Sequence, residues 1–207
     1  MFSRKLAAFS ILVSSLLVSG GGSALAEAPT ITYDKVRNLE IKEITWNTPV
    51  EYDFQPLPPK EDLITPRAIP DETVYEVDRN ETYRVKGTTF ELINRGTLPD
   101  SLSRSVSRKT FLTFKGSATY EAKVNWGLIE GKAGVTAEVS FGTDTTETTT
   151  MNWNIAPKSI TVIEYGSKAV RSVGNLVTYS GKNVKKKSYV DTKYSYMEYS
   201  DKSQRDL

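Results

Sequence analysis

Between Leu112 and Phe141 the chain alternates apolar and polar residues and changes parity once. This confines the stretch to two paired strands if it is to bury a single face. On the first arm the even positions Leu112, Phe114, Gly116, Ala118, Tyr120, Ala122, Val124 and Trp126 are apolar or glycine, and every odd position between them is polar. After Gly127-Leu128 the odd positions take over: Ile129, Gly131, Ala133, Val135, Ala137, Val139 and Phe141. A repeat of two residues is the strand repeat. A two-residue turn at Gly127-Leu128 sets Trp126 opposite Ile129, Val124 opposite Gly131, Tyr120 opposite Val135 and Phe114 opposite Phe141. All apolar side chains then share one sheet face. Glycine first in the loop suits a type II′ turn. A four-residue loop keeps the same parity and moves Lys123 from facing Lys132 to facing Gly134, so both loops stay open. The pattern predicts a β-hairpin over 112–141.

Its arms hold 15 and 13 residues, 112–126 and 129–141. Ordinary strands run about 5–6 residues, whereas a membrane-crossing strand needs about 9–11 with alternate residues facing lipid and water. Phe114 and Phe141 at one end and Trp126 at the other are placed as interfacial aromatics. The candidate membrane-facing residues are therefore Leu112, Phe114, Ala118, Tyr120, Ala122, Val124, Trp126, Ile129, Ala133, Val135, Ala137, Val139 and Phe141. A lone hairpin has unpaired edges and cannot cross lipid, so this reading requires several copies closing a barrel. The same alternation also describes a long hairpin whose apolar face covers a sandwich core.

The rest of the chain reads as all-β, either an elongated antiparallel sheet or a β-sandwich. Short runs rich in Val, Thr, Tyr, Phe and Ile alternate with turn residues from residue 71 to the end, and no window sustains a helical repeat. Thr73–Val77 and Tyr83–Val85 flank Asp78-Arg79-Asn80-Glu81 as an expected hairpin. Thr88–Ile93 is closed by Asn94-Arg95-Gly96, Ser159–Tyr165 stops at Gly166, and Leu176–Tyr179 ends at Gly181. Residues 27–70 read as an extended, loosely docked leader and linker. Six of the nine prolines fall within 49–70, and such a run forms neither helix nor central strand.

Residues 1–26 have the three parts of an export signal: Arg4 and Lys5, an apolar run from Leu6 to Val18, and Ala24-Leu25-Ala26 before Glu27. The expectation is a secreted protein cleaved after Ala26. Cleavage there leaves 181 of the 207 residues, with 25 cations balanced by 25 acids. Overall charge then predicts no attraction to nucleic acid or to a membrane, and no nucleic-acid partner is expected. The chain has no Cys and no His, which removes disulfides, thiol nucleophiles, zinc–thiolate sites and serine–histidine chemistry. No phosphate loop or carboxylate motif replaces them, so the expectation is no enzyme, no cofactor and no metal. Lys185, Lys186, Lys187 and Tyr189 form a candidate surface-binding cluster, or else an edge strand kept soluble by lysines.

Ser101, Ser103, Ser105, Ser107 and Thr110 precede the hairpin, and Thr143, Thr145, Thr146, Thr148, Thr149 and Thr150 follow it. Ile155-Ala156-Pro157-Lys158-Ser159 then leads into an apolar strand. Over residues 97–166 this resembles the aerolysin-type β-pore-forming proteins. The resemblance implies a secreted, elongated, all-β protein that binds a membrane or cell surface, forms homo-oligomers and releases a Ser/Thr-flanked hairpin into a transmembrane barrel. The chain departs from the family in its short length and in lacking a recognisable receptor-binding domain. The competing function is a cell-surface or cell-wall binding protein with no pore activity.

Overall fold

The computed structural model describes residues 28–60, 72–116 and 119–207. The export signal, Ser117 and Ala118 of the expected hairpin, and Pro66 and Pro70 lie outside these residues. The described chain forms β1 (Thr30–Asp34), β2 (Leu39–Pro56), β3 (Glu72–Asn94), β4 (Asp100–Lys115), α1 (Thr119–Val124), α2 (Trp126–Ala133), β5 (Asp144–Ile155), β6 (Ser159–Ser180) and β7 (Asn183–Asp206). The all-β expectation holds. One antiparallel sheet runs in the order β1-β2-β3-β6-β7-β4-β5, and its long central strands β3 and β6 pair from Glu72↔Tyr179 to Asn94↔Ser159.

β4 joins the sheet through four residues only, Leu112–Lys115, which pair with β7. Over Asp100–Phe111 it pairs instead with β5, and this two-stranded ribbon lies across the end of the sheet. Leu102, Val106, Trp153 and Ile155 of the ribbon pack on Leu39, Ile41, Phe90, Leu92, Ile163 and Tyr165 beneath. Full burial of a Leu, Ile or Phe side chain is worth about 1.5–3 kcal/mol, so this cluster fixes the ribbon on the sheet. The layers touch at Gly87. A Cβ there would lie 2.1 Å from the Ser107 carbonyl oxygen, which only glycine permits.

Three expectations are corrected. Residues 30–34 and 39–56 belong to the sheet rather than to a leader: Leu39 and Ile41 are core residues. Proline's limits still operate, because Pro49 falls in the register break between Thr45 and Val50 and Pro56 ends the strand. Secondly, residues 73–85 form no hairpin. Asp78-Arg79-Asn80-Glu81 is absorbed as an irregularity between Val77 and Arg79 of one continuous strand. Asn80 is buried and accepts the Ser172 hydroxyl at 2.6 Å. Gly166 likewise stops nothing: it sits inside β6 where the Val85 carbonyl leaves no room for a Cβ. Thirdly, the Tyr/Lys-rich tail is not wholly an edge. β7 lies between β6 and β4, and Tyr194 and Tyr199 are buried. The turn at Gly181, at φ +61°, falls where it was expected.

Candidate functional site

The segment between β4 and β5 is the part of the molecule whose sequence and conformation disagree. Leu112 and Phe114 are in β4, but residues 119–133 are helical, so the expected hairpin is absent from this conformation. The reason is a second periodicity in the same residues. Ala122, Trp126, Ile129 and Ala133 recur at intervals of four, three and four, which gathers them on one side of a helix. Lys123, Leu128, Glu130 and Lys132 between them favour helix, against Gly127 and Gly131, which do not. Gly134, at φ +68°, caps α2 by donating its N–H to the carbonyls of Glu130 and Gly131. That spacing was the available sequence signal, and the more regular alternation obscured it.

The inner stripe packs on the half of the sheet that the β4–β5 ribbon leaves uncovered. Ala122 and Ile129 meet Tyr75, Leu176 and Val190. Ala133 meets Leu112, Val170 and Tyr194. The Trp126 ring stands edge-on to Tyr194 at 5.2 Å and to Phe141 at 6.3 Å. Burial pushes the Tyr194 phenol well above its ordinary pKa, and its hydroxyl donates to the Val135 carbonyl at 2.9 Å. Beyond α2, residues 135–143 belong to no helix or strand. There the alternation survives, with Val135, Ala137, Val139 and Phe141 all packed against the same cluster.

The outer side of the helices is different. Tyr120, Val124 and Leu128, each four residues apart, are 78%, 65% and 40% exposed. A sequence with a strand period wound into a helix necessarily scatters its apolar face, and these three residues are the part left in water.

Polar groups clamp the segment down. Arg108 of β4 donates to Glu138 at 2.8 Å, to Glu147 of β5 at 2.6 Å and to Ser167 of β6 at 3.4 Å. Glu130 accepts the Ala137 N–H at 2.6 Å, and Glu138 donates its N–H to the Ser195 carbonyl at 3.1 Å. The end of the Pro-rich stretch crosses onto α2, with Lys60 N–H donating to the Lys132 carbonyl at 2.8 Å. Glu121 in α1 accepts from Lys186 and, at 2.7 Å, from the Ser188 hydroxyl. These two donors hold its carboxyl below the usual range.

The ribbon at the base of the segment carries the decisive geometry. Its ladder runs without a register shift from Asp100↔Ile155 to Phe111↔Asp144, and Leu112 N–H donates onward to the Thr143 carbonyl at 2.8 Å. Continued residue by residue, this register sets Phe114 opposite Phe141, Val124 opposite Gly131 and Trp126 opposite Ile129, with Gly127-Leu128 left as the tip. It is the two-residue register of the expected hairpin. Phe114 and Phe141 already lie 6.2 Å apart, ring to ring. No protein-family model matches the chain, and no curated protein matches it in sequence.

The proposed lysine cluster is divided by the strand. Side chains alternate along β7 from Lys186 onward, so Lys186 faces α1 with Ser188, while Lys187 and Tyr189 project from the opposite face, where Lys187 is 3.6 Å from Glu76; Lys185 is the extra residue at the register shift before Lys186. Among the described residues no group of three or more acidic side chains gathers where a cation would sit, and no helix is long and apolar enough to cross a membrane. A cleft of about 230 Å³ lies between β3 and the ribbon, lined by Trp46, Lys86, Gly87 and Arg108. Its cations are committed to carboxylates, Lys86 to Glu164 at 2.8 Å and Arg108 as above.

Proposed function

We propose that this chain is an exported, non-enzymatic β-pore-forming protein of the aerolysin kind, seen here in its water-soluble form, and that residues 112–141 are the membrane-inserting segment. One observation carries the reading: β4 and β5 are already paired in the register that zips the segment into a hairpin with every apolar residue on one face. The paired stretch Asp100–Phe111 needs no slip, and at its end only the turn that bonds Gly142 N–H to the Leu112 carbonyl must be undone. The inner clamps must open, and the ladder then extends from Leu112 and Thr143 outwards.

The exposed stripe supports the same reading. Tyr120 and Val124 gain nothing from burial in the helical form, yet both fall on the shared face of the hairpin. Arms of 15 and 13 residues exceed the about 9–11 required of a spanning strand. Several copies must close the barrel, since no edge can be left open in lipid.

The test is dye release from liposomes by the purified mature chain, with oligomers followed by cross-linking. Wild type should release dye. V124D, which puts a carboxylate on the lipid face at a position that is exposed in the folded form, should abolish release while the protein still folds. A wild-type protein that stays monomeric and leaves vesicles of varied composition intact would overturn the proposal.

A further inference from the structure

The outer face of α1–α2 combines three features that belong together at a bilayer surface. The first is the exposed stripe of Tyr120, Val124 and Leu128. The second is its charge. The acids of the two helices turn inward, Glu121 to Lys186 and Ser188 and Glu130 to the Ala137 amide. Lys123 therefore stands beside the stripe with no acid of the helices turned toward it. The third is Lys186 of β7, whose side chain is 56% exposed beside Glu121 at the edge of α1. Contiguous apolar side chains rimmed by lysines are the signature of a surface that lies on anionic lipid.

We propose that this face is the docking surface of the folded protein for an anionic bilayer, with Tyr120, Val124 and Leu128 entering the headgroup boundary and Lys123 and Lys186 engaging lipid phosphates. The inference rests on the reading of 112–141 as the inserting segment and adds how that segment meets its target. It also supplies a trigger. Lys186 is the cation that holds Glu121. A lipid phosphate that takes Lys186 leaves the Glu121 carboxylate with Ser188 alone, so docking loosens α1 at the moment the bilayer is in reach.

Co-sedimentation with vesicles of phosphatidylcholine alone or with phosphatidylserine added measures docking separately from dye release. Wild type should bind the anionic vesicles, and bind less as salt rises. Binding should fall about fivefold or more in K123E, because each lysine near such a surface contributes about that factor. It should fall about tenfold in V124D, where the side chain is exposed and the fold is undisturbed. E121K/K186E keeps the ion pair and the net charge; it should lose part of the binding and all of the anionic-lipid stimulation of release. Equal wild-type binding to both vesicle types, or wild-type binding by K123E and V124D, would overturn the docking surface. V124D that binds like wild type but fails to release dye would leave the pore reading standing without it. Wild type that binds anionic vesicles and never releases dye would uphold docking and sink the pore.

Discussion

Replacing Gly127 with alanine sets the helical conformation of the segment directly against the hairpin proposed for it. In the folded protein Gly127 is in the first turn of α2, and a Cβ there meets nothing within 4 Å. Alanine is therefore accommodated, and it favours helix over glycine by up to about 1 kcal/mol. In the hairpin the same residue opens the two-residue tip, where a type II′ turn requires positive φ. An L-residue there costs about 1–2 kcal/mol. The two effects act in one direction and total about 2–3 kcal/mol against conversion, a factor of at least about 30. G131A is the control. Gly131 also has open space around it, but alanine improves helix and strand interiors by similar amounts, about 0.5–1 kcal/mol each, so its net effect on conversion is close to zero. The assay is the initial rate of dye release at fixed protein concentration, with vesicle binding measured in parallel. G127A should bind normally, keep or slightly raise its melting temperature and release about 30-fold more slowly; G131A should release at near the wild-type rate. Equal rates for G127A and wild type would refute a tip at Gly127-Leu128. Equal slowing by both variants would show that only helix strength matters and that no hairpin forms.

Two further predictions concern the scaffold. G87A places a methyl group against the Ser107 carbonyl and should cost about 1–3 kcal/mol by overpacking; urea unfolding followed by tryptophan fluorescence measures it, and an unchanged midpoint would show that the ribbon does not sit this close to β3. Asp191 receives a two-pronged bond from Arg171 at 3.0 and 2.8 Å, which holds its pKa below the ordinary 3.8. A depressed carboxylate stabilises the fold above about pH 4, and that contribution is lost as pH falls through the folded-state value. D191N should therefore lose about 2 kcal/mol at pH 7 and show a shallower decline in melting temperature below pH 4 than wild type. Parallel acid limbs would disprove the assignment.

What the sequence showed and what it hid follow from the range of each interaction. The turn at Gly181 and the end of the strand at Asn94 were legible because local chemistry sets them. The continuity of β3 through Asp78–Glu81 was not, because it depends on Ser172, a strand away in space, bonding the Asn80 side-chain oxygen. The same holds for Gly166, whose meaning is the approach of the Val85 carbonyl rather than a turn. In residues 112–141 the alternation was read correctly and the conformation was not. Ala122, Trp126, Ile129 and Ala133 fit both periods, and the choice between them is made by Tyr75, Leu176 and Tyr194, which lie far away along the chain.

The Ser/Thr richness of this protein takes on a definite role once the edges of β4 are followed. The backbone groups of Leu112 point to β5, so those of Ser107, Lys109 and Phe111 point to the other side. No strand is there. The Thr88 hydroxyl accepts the Ser107 N–H at 3.2 Å, the Ser167 hydroxyl donates to the Lys109 carbonyl at 2.5 Å, and the Ser195 hydroxyl accepts the Phe111 N–H at 3.0 Å. Buried backbone groups must be paired, and a bare edge invites another chain. Three hydroxyls from β3, β6 and β7 thus occupy the positions a neighbouring strand would fill. A hydroxyl is a weaker and more easily exchanged partner than a continuous ladder, whose bonds form together. On the proposed function, that edge is closed by side chains in the monomer and opened to the strand of the next copy when the ribbon lifts from the sheet, so the residues that keep the soluble form solitary are the ones whose release lets a barrel close.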